Sequence, residues 1–323
     1  MRVISCPMKP LEGRIALVAG ATRGAGRGIA CALGEAGATV YCTGRSVRGK
    51  PATKGRRETI NQTAKMVTAL GGKGIAVRCD HTKEGDVKKL AARIRREQKG
   101  KLDILVNDVW GGDALTEFGK TFWQVSLDKG TAMLRQAVLS HIITSRYVAP
   151  LMVEQGHGFI VEITDGNFFG YRGNLFYDLV KTSVIRLAMI MAYELRKTPI
   201  TALAVTPGFL RSEAMLDNFG VKEENWREAG KKHPDFLHSE TPLFVGRAVA
   251  ALAADPSVKE KSGQVFSSWD LSDEYGFTDA DGSRPHWGRH FAEAYGAPIR
   301  KFDATLYSCF WESPISLVFP DWP

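Results

Sequence analysis

Short apolar runs alternate with longer stretches of helical periodicity along most of the chain. Runs suited to buried strands fall at 14–19, 38–43, 74–79, 103–107, 158–164, 200–206 and 263–268. Between them, amphipathic patterns predict helices over 25–36, 58–70, 84–98, 128–154, 175–197 and 241–254. Gly71–Gly72, Gly100 and Gly156 sit where helices should stop. Such alternation predicts an α/β domain: a doubly wound parallel sheet of about seven strands with helices on both faces. Residues 1–270 read as this domain, and residues 271–323 as an irregular C-terminal extension. Two elaborations, 108–127 and 209–240, follow strands at their carboxyl ends. Open α/β sheets bind ligands there.

Composition narrows the class. The chain has 323 residues, 44% of them apolar, enough for a full core. No run of about 18 apolar residues occurs, so no spanning helix is expected. Met1 to Pro10 lacks the apolar core of a secretory signal. Cysteines 6, 31, 42, 79 and 309 are odd in number, scattered and without zinc spacing. The expectation is reduced thiols, a cytoplasmic location and no metal site. The net charge is +8, with Arg45, Arg48, Lys50, Lys54, Arg56 and Arg57 crowding one loop. Without a nucleic-acid-binding motif beside it, that loop reads as a solvated surface.

Two motifs carry chemistry. After the apolar run Ile15–Val18 comes Gly20-Ala21-Thr22-Arg23-Gly24-Ala25-Gly26, and then a helical pattern. Strand, glycine turn and helix form the context of a dinucleotide site. Gly20 permits the tight turn, Gly24 and Gly26 allow close backbone approach, and the helix N-terminus offers N–H groups to phosphates. Further on, Tyr177 and Lys181 stand four residues apart, one turn apart on one helix face. A free phenol titrates near pH 10. An ammonium at ~4 Å favours the phenolate by roughly 4 kcal/mol at an effective dielectric of ~20. A tyrosine so placed can give and take a proton near neutral pH. The second strand ends Thr43-Gly44-Arg45-Ser46, with no acid to hold a ribose 2′-hydroxyl. Arg45 instead supplies a planar fork suited to phosphate, which favours NADP(H) over NAD(H).

Together the glycine turn and Tyr177-x-x-x-Lys181 resemble the short-chain dehydrogenase/reductase family over about residues 12 to 270. Asp270–Leu271, Tyr275–Phe277 and Asp281–Gly282 are similar to the branch named dehydrogenase/reductase member 1 and its bacterial relatives. The resemblance implies a Rossmann-type fold and hydride transfer between a nicotinamide and a carbonyl or alcohol. It implies that Tyr177 is the general acid/base and that Lys181 lowers its pKa and holds the nicotinamide ribose. Arg45 and Arg23 would meet the 2′-phosphate, Thr22, Ala25 and Ser46 would line the cofactor site, and Asp80, with His81 beside it, would contact the adenine. Asn107 would hold the adenosine ribose region beside Val109. Pro207, Gly208, Leu210 and Ser212 would hold the carboxamide and phosphate side. Family members are commonly dimers or tetramers, with the helices at 128–154 and 175–197 as the expected interface.

The chain also departs from the pattern. Asp103–Val109 resembles the family's fourth strand, usually closed by Asn-Asn-Ala-Gly, but only the first Asn survives. The family's serine is absent from Ile163-Thr164-Asp165-Gly166. Matching the strand residue by residue puts Asp165 in its place, and counting back from Tyr177 puts Thr164 there. An ionised Asp165 would oppose the phenolate about as strongly as Lys181 favours it. If Asp165 faces the site, it is expected to be neutral or paired, and a neutral carboxyl can donate a hydrogen bond to a substrate oxygen. The family's helix asparagine matches a position near Ala137, and the nearest polar candidate is His141. These gaps motivate a second reading, a non-catalytic NADP(H) sensor. Trp110, Phe122, Trp123, Phe168, Phe169, Tyr171 and Phe209 should border an apolar or aromatic substrate. The tail carries Trp287, Phe291, Tyr295, Phe302, Tyr307, Phe310, Trp311, Phe319 and Trp322. It is expected to dock on its own domain or a neighbouring subunit, with a substrate lid or a peripheral membrane contact as alternatives.

Overall fold

A computed structural model describes residues 9–166 and 171–295. The strands are β1 (Ile15–Ala19), β2 (Thr39–Gly44), β3 (Lys73–Arg78), β4 (Ile104–Asn107), β5 (Gly158–Ile163), β6 (Ile200–Thr206) and β7 (Val265–Ser267). All seven pair in parallel in one sheet, ordered β3-β2-β1-β4-β5-β6-β7. The order reverses between β1 and β4, which opens a crevice at their carboxyl ends.

The helices are α1 (Gly24–Glu35), α2 (Ile60–Ala69), α3 (Glu84–Glu97), α4 (Leu127–Leu134), α5 (Ser140–Gln155), α6 (Leu175–Glu194), α7 (Glu213–Phe219), α8 (Pro242–Ala254), α9 (Ser268–Tyr275) and α10 (Trp287–Tyr295). β1 is buried along its whole length, and its side chains divide by parity. Ala16 and Val18 pack with residues of α1, α2 and α8. Ile15 and Leu17 pack on the other face with residues of α3 and α5. That two-sided burial is why the strands read as unbroken apolar runs.

Three differences from the expected elements matter. The helix expected over 128–154 is interrupted by a π-helical turn, Arg135–Leu139, between α4 and α5. Ala137 lies in that turn, and such insertions recur at functional sites. The 209–240 elaboration contains α7 and two 3₁₀ turns, Glu223–Lys231 and Pro234–His238, gathered on Trp226, Ala229 and Phe236. α9 runs through residue 270, where the extension was expected to begin. Phe168, Phe169, Cys6, Cys309 and the aromatics from Phe302 onward lie outside the described residues. Cys31, Cys42 and Cys79 are buried free thiols. Burial pushes Cys31 up to about 11 and Cys79 up to about 12. Among the described residues, no helix is long and apolar enough to cross a membrane.

α1 and α8 cross at Gly28, where a Cβ would stand 1.9 Å from the Pro242 carbonyl oxygen. Helix propensity alone would make Gly28→Ala stabilising by about 1 kcal/mol. The close approach reverses the sign, because helix backbone cannot yield as a side chain can. Gly28→Ala should therefore lower stability by about 1–3 kcal/mol. Thermal unfolding checks this, with Gly85→Ala in the open first turn of α3 as the control. A midpoint in Gly28→Ala at or above wild type would contradict the packing.

Candidate active site

A cleft of about 1020 Å³ opens at the carboxyl ends of the strands. Its floor begins at the β1–α1 turn. Gly20 has φ +98°, and a Cβ there would lie 2.2 Å from the Asp108 carbonyl oxygen, so the residue must be glycine. The first N–H of α1, at Gly24, is taken by the Glu213 carboxylate at 2.8 Å. Arg27 pairs with the same carboxylate at 3.1 Å. Glu213 thus acts as an internal anion where a helix N-terminus would receive a phosphate. On that donor set, the turn fits a dinucleotide pyrophosphate.

Thr22, Arg23, Ala25, Arg45 and Ser46 line the same end of the cleft. Arg45 reaches Gln136 Oε1 at 3.1 Å, and its charge also helps hold the Asp80 carboxyl below its usual range. In that shift burial opposes, and hydrogen bonds from Thr82 do most of the lowering. Ser46 is buried, with its hydroxyl accepting from Ala52 N. Asp80 lines the cleft, and its Oδ1 accepts from Thr82 N and Oγ1. His81 borders the cleft, but both ring nitrogens are engaged, by Thr43 and Thr144 at 2.8 Å each. Burial pushes its pKa down to about 4. It is a structural imidazole with no polar atom left for adenine.

Asn107 is also placed differently from expectation. It is fully buried, and its amide nitrogen donates to Ser145 Oγ at 2.9 Å and Glu162 Oε1 at 2.7 Å. Strand parity turns its side chain into the protein instead of toward a ribose. Val109 lines the cleft, and its carbonyl lies 3.1 Å from His141 Nε2. Pro207, Gly208, Leu210 and Ser212 form the opposite wall. Glu240 secures that wall: its Oε2 accepts from Gly208 N at 2.9 Å, and its backbone pairs with Phe209 and Arg211.

The reactive groups meet midway. Asn174 caps α6, accepting from Phe176 N and Tyr177 N, and so sets where the tyrosine enters the cleft. Tyr177 Oη donates to Asp165 Oδ2 at 2.5 Å. Thr164 points elsewhere: its hydroxyl donates to the Lys181 carbonyl at 2.9 Å. Of the two alternatives, Asp165 occupies the place beside the phenol, and Thr164 braces α6. Lys181 Nζ lies 4.4 Å from the Trp110 ring centroid and 5.6 Å from that of Tyr177.

The electrostatics run against a simple lysine-lowered phenol. Burial first, then the Asp165 charge and hydrogen bond, push Tyr177 well above the usual phenol range. Burial pushes Lys181 down, while Asp165, Asp108 and Asp113 pull it back up. Asp108 is the group that sequence reasoning passed over. Its signal was an acid where the family carries a second asparagine. Desolvation raises its carboxyl to about 7, against the opposing pull of Lys181, His141 and the Gly26 N–H.

Around the phenol, Trp110 and Phe118 pack at 5.4 and 5.8 Å between centroids. Phe209 and Trp287 also line the cleft, so α10 docks the start of the tail on its own domain beside the site. Phe122, Trp123 and Tyr171 are exposed and outside the cleft lining.

The family model described as short chain dehydrogenase matches residues 14–220. Dehydrogenase/reductase SDR family member 1 of Mus musculus is 37% identical over 84% of this chain and 85% of that protein. The Homo sapiens protein of that name is 35% identical over the same shares. A solved hydroxysteroid dehydrogenase from Escherichia coli superposes with a TM-score of 0.64, at 26% identity over 80% of this chain and 96% of that one. A 7 alpha-hydroxysteroid dehydrogenase solved with NADH and a 7-oxo bile acid also gives 0.64, at 25% identity over 85% and 96%.

The contact between Tyr177 and Asp165 makes a direct prediction. Asp165→Asn removes the charge that opposes the phenolate. Tyr177 should then ionise at least about one pH unit lower. The phenolate absorbance of Asp165→Asn, minus that of the same variant also carrying Tyr177→Phe, reads this out. An unchanged transition would mean that burial alone sets it.

Proposed function

The chain belongs to the short-chain dehydrogenase/reductase family, and from that premise we propose that it is an NADP(H)-dependent oxidoreductase acting on apolar or aromatic carbonyl and alcohol substrates. The observation that carries the reading is the convergence of Tyr177, Asp165 and Lys181 in one cleft that starts at the glycine turn. The nicotinamide would supply the hydride.

The remaining steps belong to this chain. Gly20, Gly24, Ala25 and Gly26 would hold the pyrophosphate at the α1 N-terminus, where Gly24 N now donates to Glu213. Arg45 and Arg23 would receive the 2′-phosphate, since no acid at the end of β2 would repel it. Lys181 would hold ribose hydroxyls. Tyr177 Oη gives its proton to the oxygen of the reduced carbonyl. Asp165 orients that hydroxyl as the family serine would, and in its neutral form it can itself donate to the substrate oxygen. Trp110, Phe118, Phe209 and Trp287 exclude water from the reacting carbon.

Oligomerisation is part of the same reading. Ile142 and Val153 on α5, and Leu179, Ile190 and Tyr193 on α6, are large apolar residues left exposed. They favour a homodimer or homotetramer joined through these helices.

A sensor that binds NADP(H) without turnover is the rival, favoured by the carboxylate held against the phenol. NADPH oxidation across aldehydes, ketones and quinones separates the two. With a substrate found, Tyr177→Phe should lower kcat by at least about a hundredfold. NADPH that binds tightly but is oxidised with none of the carbonyls, or at the same rate in Tyr177→Phe, would support the sensor. Arg45→Ala should weaken NADPH binding about tenfold to hundredfold and leave NADH binding within about threefold, measured by nucleotide fluorescence. Equal losses for both nucleotides would remove the preference for NADP(H).

A further inference from the structure

The turn that carries Asp165 out of β5 is held from behind by one side chain. Arg172 Nε donates to the Asp165 carbonyl at 2.7 Å, and Nη2 reaches the Gly166 carbonyl at 3.5 Å. Nη1 donates to Asp178 Oδ1 at 2.9 Å and reaches Thr182 Oγ1 at 3.4 Å. The Arg172 backbone N–H donates to the same Asp178 oxygen at 3.2 Å. Asp178 directly follows Tyr177 in α6, and Thr182 directly follows Lys181. One guanidinium therefore joins the residue beside the phenol to the helix that carries both the phenol and the ammonium. Its side chain is 5% exposed and lies outside the cleft lining. A guanidinium so deeply buried is costly unless its donors are engaged, and these are engaged at both ends of the gap they span. Thr164 and Thr206 secure the residues on either side of Asp165. Arg172 sets Asp165 itself.

We propose that Arg172 is a positioning residue: by tying the Asp165–Gly166 turn to α6, it fixes the contact between the Asp165 carboxyl and the Tyr177 hydroxyl, and through that contact the proton transfer to substrate. The inference rests on the oxidoreductase reading. The contact to be fixed is 2.5 Å long, and hydrogen bonds weaken steeply with misalignment. A lysine cannot replace the arginine here. Its ammonium keeps the charge, but it lacks the planar fork that reaches carbonyl and carboxylate oxygens together. The charged groups acting on Tyr177 are Asp165, Arg172 and Asp113, with Lys181 Nζ 5.6 Å from the ring centroid. The Arg172 charge itself favours the phenolate, against Asp165 and Asp113. Placement and charge therefore act on the phenol in opposite directions. Losing the placement frees the phenol from Asp165, and losing the charge makes it harder to ionise.

Arg172→Lys separates the two, because the charge stays and the fork is lost. A fluorinated tyrosine at position 177 brings the phenol transition into the measurable range. Its phenolate absorbance should appear at least about half a pH unit lower with Arg172→Lys than without it. In the Asp165→Ala background no carboxyl remains to be placed, and Arg172→Lys should move the transition by less than about 0.2 of a pH unit. An unchanged or raised transition in Arg172→Lys would overturn the proposal. Asp178→Ala frees the guanidinium from α6 while leaving Arg172 in place, and should give the same pattern if Arg172→Lys does not fold. In NADPH oxidation with para-nitrobenzaldehyde, Arg172→Lys should lower kcat about tenfold and leave KM and NADPH dissociation within about threefold. In Asp165→Ala it should lower kcat by less than about twofold further. Equal losses in both backgrounds would overturn the proposal and reduce Arg172 to a support of the fold. A wild type that turns over no carbonyl would overturn the oxidoreductase reading, and the phenol transition then decides the placement by itself.

Discussion

The Lys181 ammonium organises the cleft. Lys181 sits against the Trp110 face within the influence of Asp165, Asp108 and Asp113. Arg172, whose Nε donates to the Asp165 carbonyl at 2.7 Å, adds a second positive charge to the same group. The Asp108 carboxyl rises to about 7 and the Tyr177 phenol rises well beyond its usual range. Asp165 takes the phenolic proton into a 2.5 Å hydrogen bond. Lost hydration is the largest cause of both shifts, and the neighbouring positive charges oppose them.

The backbone geometry around these groups also builds the ligand site. The reversal of strand order between β1 and β4 brings Gly20 against the Asp108 carbonyl and sets Gly26 against the Asp108 side chain. Any Cβ at either glycine would push β4 and its aspartate out of place. On the far side, Glu240 ties Gly208 back while Glu213 reaches over to the α1 N-terminus. The walls of the cleft are therefore held by carboxylates on backbone N–H groups. One of them, Glu213, sits where a phosphate would compete for the same donors.

The strands, the two-layer covering of the sheet and the glycine turn were legible because each rests on local periodicity or on one residue type. Tyr177 and Lys181 were legible because four-residue spacing on a helix is a geometric statement. The choice between Thr164 and Asp165 was not, because adjacent strand residues differ only in which face they occupy. The side chain of Thr164 went to the Lys181 carbonyl instead of the phenol. His81 and Asn107 were misplaced for a related reason. Both lie at strand ends beside the crevice, yet burial and the hydroxyls of Thr43, Thr144 and Ser145 turned them inward.

The chain by itself determined its sheet, its family and the placing of Tyr177 and Lys181 on one helix face, since these follow from repeated patterns and fixed spacings. Only the tertiary structure decided how the charges share the site. Asp108, His141, Glu162 and Lys181 are far apart in sequence and come from four different elements or their ends. Their proton affinities depend on mutual distance and lost hydration, quantities that exist only once the sheet has brought them together.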